Sequence, residues 1–217
     1  MKNSHYTRWK CVKSLLPIAR KLSWCDRLKM LGRPLISPLP FILKYLNPSD
    51  RLFDIGCGSG ALLYLAVKHA HVTVADGCEI SEALLTNVTK LDHPPHITNV
   101  IKITADAHLP SLKNYTLVTA IDVLHHVLPE KQTSFFEEIT SNTQPGTRLI
   151  LADINANKPI GSFLNRIHDL ILAKQWVYPW SSTKTAQQLL KLGWKIKHHT
   201  HHRNLWYPHY VIVAERQ

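Results

Sequence analysis

The chain has 217 residues, 45% of them hydrophobic, which is enough for one ordinary domain with a real core and excludes disorder as the expected state. No stretch approaches the roughly eighteen consecutive apolar residues of a spanning helix, and charges and prolines stand where a secretory signal keeps an apolar run, so a cytoplasmic protein is expected. A net charge of +11 points to an anionic partner: nucleic acid, an anionic membrane face or an acidic carrier.

The excess charge begins at the N-terminus. In the first 33 residues Lys2, Arg8, Lys10, Lys13, Arg20, Lys21, Arg27, Lys29 and Arg33 face the single acid Asp26, interleaved with Trp9, Leu15, Leu16, Ile18, Trp24 and Leu28. This composition fits a basic amphipathic segment on a membrane's inner face, an RNA-binding arm, or a helix packed over an active site with its basic face in water. Pro34, Pro38, Pro40 and Pro48 are expected to break the helical pattern, dividing a basic helical segment or lid over 1–47 from a domain over 48–217.

Beyond residue 48 the punctuation alternates. Strands are expected at 52–55, 74–79, 100–104, 117–121 and 148–152, with amphipathic helices at 61–69, 81–90 and 129–141. Such alternation predicts βαβ units and a doubly wound, Rossmann-like α/β fold. Residues 154–180 read as an aromatic, basic insertion with a helical stripe from Phe163 to Leu172. A helix capped by Ser181-Ser182 and closed at Gly193 follows, and strands near 194–198 and 207–214 complete a seven-stranded sheet. The run "HHTHH" at 198–202 has no nearby carboxylate or cysteine, and Cys11, Cys25, Cys57 and Cys78 form no C-x-x-C pair, so neither a metal site nor a disulfide framework is expected.

The chemistry centres on "RLFDIGCGSGALLYLA", residues 51–66. Its glycines match a dinucleotide fingerprint, but Asp54 at the strand end would repel a pyrophosphate, and no Lys-Ser/Thr pair follows for a phosphate loop. A carboxylate there suits a ligand that carries an ammonium group and no phosphate. The segment resembles the first motif of the class I S-adenosylmethionine-dependent methyltransferases, and the likeness runs from about residue 51 to the end. It implies that Asp54, Gly56, Cys57, Gly58 and Gly60 hold the methionine part of S-adenosylmethionine. It further implies that Glu79, followed by Ile80, accepts the ribose hydroxyls, with Asp76 as competitor, and that Asp106 and Ala107 in a "DAxxLP"-like segment meet the adenine. Asp122 to His126 resembles the segment after the fourth strand, with Asp122 on the cofactor side, and Gln144-Pro145-Gly146-Thr147 resembles the turn before the fifth.

Methyl transfer is an in-line displacement, so the chain must position a nucleophile and remove its proton. His125 and His126 lie where such folds bind substrates and are the candidate bases. The segment lacks the Asn/Asp-Pro-Pro-Tyr/Phe clamp of base-amine methyltransferases, which disfavours nucleic acid. Arg166, His168, Trp176, Tyr178, Trp206, Tyr207 and Tyr210 offer walls for an aromatic or lipidic pocket. The two stretches that carry them are similar to small methyltransferases of bacterial aryl-polyene-type pigment pathways. That likeness implies a small aromatic, quinone-like or acyl-carrier-bound acceptor, methylated at oxygen or carbon. An RNA methyltransferase and a non-catalytic cofactor-binding protein are the alternatives.

Overall fold

The computed structural model describes residues 6–90, 97, 99–104, 108–158, 161 and 176–217. In sheet order its seven strands read β3-β2-β1-β4-β5-β7-β6, a mixed sheet with flanking helices as the alternating pattern predicts. The chain divides into two compact units, Met1–Ala107 and His108–Gln217.

The first unit opens with α1 (Arg8–Ala19) and α2 (Trp24–Ile36). Thr7 caps α1 by accepting from Lys10 N at 3.1 Å, and Ser23 caps α2 by accepting from Asp26 N at 3.2 Å. Pro34 does not break α2, which runs on to Ile36. A proline so near a helix end removes one hydrogen bond from the last turns, and here its ring lies buried. A short α3 (Leu39–Ile42) leads through a 3₁₀ turn to β1 (Arg51–Ile55). Next come α4 (Ala61–Leu65), β2 (Val74–Glu79), α5 (Glu82–Lys90) and β3 (Val100–Lys102). The helix expected over 61–69 changes at Ala66 into a π-helical turn ending at Ala70, and His71 closes it with φ 56°.

β1 and β2 run parallel with Arg51 opposite Val74, and β2 and β3 parallel with Gly77 opposite Val100. After Arg51 every residue of β1 is buried, the signature of a strand covered on both faces. α1 buries Cys11, Leu15, Ile18 and Ala19, its Ser14 Oγ lies 2.8 Å from His69 Nε2, and the Tyr6 hydroxyl donates to the His69 carbonyl at 3.1 Å. The N-terminal helices therefore share the core of the glycine-loop unit.

The second unit comprises β4 (Leu117–Ile121), α6 (Gln132–Asn142), β5 (Arg148–Ile154), α7 (Ser182–Lys191), β6 (Trp194–Asn204) and β7 (Tyr207–Arg216). β4 and β5 are parallel, while β7 is antiparallel to both β5 and β6. β6 is longer than its apolar pattern suggests, extending through "HHTHH" to Asn204. Among the described residues it pairs with β7 alone, so a half-exposed strand is held by backbone bonding where its own sequence carries no apolar signal. The helical stripe expected over 163–172 lies outside the described residues.

Candidate active site

In the first unit the chain leaves β1 through a turn in which Gly56, Gly58 and Gly60 all take positive φ (70°, 58° and 77°), a region open to glycine at no steric cost. Two bonds anchor it to β2, since Gly56 N and Cys57 N both donate to the Cys78 carbonyl, at 2.8 and 3.0 Å. Glu79 completes the lock. Its Oε2 accepts from Gly58 N at 2.9 Å, and its Oε1 accepts from Ile80 N at 2.8 Å and Ser81 N at 3.0 Å. A carboxylate offers about four lone-pair sites, so one remains on Oε2 for a further donor. Asp76, the competitor, accepts from Asn99 N at 2.8 Å.

Sequence reasoning missed Gly77. A Cβ there would lie 2.7 Å from the Asp54 carbonyl and 2.9 Å from Cys57 Cβ, so the loop approaches β2 only because position 77 has no side chain. The only signal for it was a glycine inside an otherwise buried strand.

The loop is electrostatically negative. Asp54 and Glu79 are buried, and their charges, after burial itself, push the Cys57 thiol far above its ordinary range. Cys57 is thus a packing group and not a nucleophile. Two buried carboxylates beside a glycine turn suit a ligand with cationic groups and repel phosphate. The chemistry of this donor set fits S-adenosylmethionine, which carries an ammonium, a sulfonium and two ribose hydroxyls. Asp106 and Ala107 lie outside the described residues.

In the second unit two histidine–carboxylate pairs stand at the carboxyl ends of β4 and β5, the end where open α/β sheets bind ligands. Asp122 follows β4 with φ 57°, a left-handed conformation uncommon outside glycine, and its Oδ1 lies 2.8 Å from His209 Nε2. The 3₁₀ turn Leu124–His126 then brings His125 Nδ1 to 2.5 Å from Asp153 Oδ1, both side chains nearly sealed from solvent. Asp153 is held in turn by Ile154 N at 2.6 Å and His125 N at 3.2 Å. The His125 carbonyl accepts from Tyr178 N at 2.7 Å, and Gln132 Nε2 bridges the Leu124 and Tyr178 carbonyls. This fixes the segment on both sides.

An ionised carboxylate only accepts, so His125 Nδ1–H donates to Asp153 and leaves Nε2 as the basic atom of the ring. The same logic makes Nδ1 the acceptor atom of His209. That atom is buried and has no hydrogen-bond partner among the described residues, so a ligand hydroxyl or a water would satisfy it. His126 lies beside His125, half-buried, with ring centroids 4.2 Å apart and planes tilted by 41°. Asp153 was missed because it closes the apolar run "RLILADI", 28 residues from its partner. His209 carried the signal of one polar side chain in the apolar segment "YPHYVIVA".

The expected pocket walls separate. Tyr210 is fully buried, its hydroxyl 2.8 Å from Thr185 Oγ1, and burial with the nearby Asp153 charge holds its phenol well above the usual range, so it serves the core. Tyr207 is buried between Trp206, at 5.3 Å, and His209, at 6.1 Å. Trp176 and Trp206 are exposed and Tyr178 half-buried, while Arg166 and His168 lie outside the described residues. Among the described residues no group of three metal-ligating side chains converges, the 198–202 histidines included.

Residues 28–199 match the family described as a methyltransferase domain. The carboxy-S-adenosyl-L-methionine synthase of Aeromonas salmonicida is 26% identical over 133 residues, 58% of this chain and 53% of that protein. The chain spans about half the length of the curated relatives it matches. Among solved structures, an S-adenosylmethionine-dependent methyltransferase from Mesorhizobium loti has TM-score 0.66 at 17% identity, covering 82% of this chain and 96% of that one. Magnesium protoporphyrin IX methyltransferase from Synechocystis PCC 6803, with bound S-adenosylmethionine, has TM-score 0.64 at 16% identity, covering 99% and 92%. Such structures speak to the fold, and the family match spans both the glycine loop and the His125–Asp153 pair: the chain belongs to the methyltransferase domain family and has the class I methyltransferase fold.

Proposed function

We propose that this chain methylates a small aromatic, quinone-like or carrier-bound lipidic acceptor at an acidic oxygen or carbon. The observation that carries the reading is the sealed His125–Asp153 pair, which orients an imidazole with Nε2 as its basic atom. Bound S-adenosylmethionine supplies an electrophilic methyl group. Asp54 and the turn from Gly56 to Gly60 would hold its amino-acid end, and Glu79 a ribose hydroxyl.

The remaining work belongs to the protein. As the acceptor's oxygen or carbon takes the methyl group, its proton passes to His125 Nε2, and the imidazolium so formed is stabilised by the Asp153 carboxylate beneath it. The methyl–sulfur bond broken in the transfer would leave its electron pair on the cofactor's sulfur, and the proton held on His125 Nε2 would pass on to water. His209, paired to Asp122, offers its buried Nδ1 to a second acceptor hydroxyl.

The test is S-adenosylhomocysteine release with 4-hydroxyaryl, quinol and acyl-carrier-bound acceptors, on the native chain and on His125→Gln. Turnover with such acceptors that collapses in the variant supports the reading. Turnover confined to RNA, or unchanged in His125→Gln, contradicts it.

A further inference from the structure

We propose that the α1–α2 hairpin is a docking surface for an anionic lipid membrane. α1 buries Cys11, Ser14, Leu15, Ile18 and Ala19, and its opposite stripe carries Trp9, Lys13, Leu16 and Arg20 at spacings of four, three and four. α2 repeats the device. It buries Met30 and Pro34, and Trp24, Leu28, Leu31 and Leu35 follow at the same spacing on another face. Trp9 is 66% exposed and Trp24 69%, and Leu28 and Leu16 are exposed as well. Trp9, Leu16, Trp24 and Leu28 thus present large apolar side chains on the outer stripes of both helices, beside the half-buried Leu31 and Leu35.

The charge around them selects the partner. Arg8, Lys10, Lys13, Arg20, Lys21 and Lys29 are exposed on the two helices and the turn between them, against the single acid Asp26, whose carboxylate accepts the Ser23 hydroxyl at 2.7 Å. Arg27 ties the helices together by donating to the Ala19 and Arg20 carbonyls at 3.2 and 2.8 Å, so the tryptophans sit on a fixed scaffold. An RNA would use the cations and stack on the tryptophans, but it leaves the leucine stripe in water. A bilayer uses all three: tryptophan at the interface, leucine at the acyl boundary and cations on anionic headgroups. No helix among the described residues is long and apolar enough to cross a membrane, so the contact is interfacial. The surface lies within the first unit and is independent of the acceptor's identity.

The test is sedimentation of the full chain with vesicles of phosphatidylcholine alone or mixed with phosphatidylglycerol, beside Trp9→Ser/Trp24→Ser and Lys13→Glu/Lys21→Glu. All four positions are exposed, and circular dichroism with S-adenosylmethionine titration confirms that each variant is folded. The chain should bind the anionic vesicles about tenfold or more tighter than the neutral ones, and either variant should weaken that binding about tenfold. Absence of binding to anionic vesicles, or binding indifferent to the tryptophans, overturns the proposal. So does a concentration-dependent dimer abolished by the tryptophan variant, which assigns the face to a second copy, or preferential binding to RNA.

Discussion

Both units bury carboxylates at strand ends, and they use them differently. Glu79 faces three backbone N–H groups, whereas Asp153 and Asp122 each face an imidazole. A carboxylate on amides fixes the shape of a loop. A carboxylate on an imidazole sets a tautomer and readies the ring for a second proton. On the reading proposed above, the glycine-loop unit holds a ligand still and the histidine unit moves a proton.

Breaking the histidine pair should have the largest effect. Asp153→Asn removes the counter-charge of the imidazolium, and we expect turnover to fall about 10²–10⁴-fold with cofactor affinity unchanged, as read by steady-state rates beside calorimetry. The reverse split is expected for Glu79→Ala, where cofactor affinity falls about 10–100-fold through the lost charge-assisted bonds, while turnover at saturating cofactor changes less. Gly77→Ala sharpens the structural half. Its new methyl meets the Asp54 carbonyl, so thermal unfolding should show about 1–3 kcal/mol lost, with weaker cofactor binding.

The smallest effect is a pH dependence at the α1 contact. Burial first, then the charges of Lys10 and Lys68, hold His69 below the ordinary histidine range, so the folded state favours the neutral ring that meets Ser14. With the folded value depressed, this stability is complete above about pH 6.5 and erodes as pH falls through that value towards the folded one. Proteolysis within α1 should rise modestly between about pH 7.5 and 5.5, and His69→Gln should flatten that dependence.

What the sequence disclosed follows from the range of the interactions. The Asp54–Gly60 turn and Glu79 were legible because a tight turn demands glycines at fixed offsets and a strand end fixes its acid. Asp153 and Gly77 were not, because their reasons lie across the sheet: one on an imidazole 28 residues away, the other against a carbonyl 23 residues earlier. The same holds for the break expected at Pro34, whose ring is buried in a helix that runs on to Ile36, and for the far half of β6, whose order comes from its partner strand.

The most direct measurement is calorimetric titration of S-adenosylmethionine into the native chain, Asp54→Ala and Asp153→Asn. Equal binding by the native chain and Asp153→Asn, with binding lost in Asp54→Ala, is the predicted result. No binding by the native chain, or equal loss in both variants, would contradict the division of labour between the glycine loop and the histidine pair.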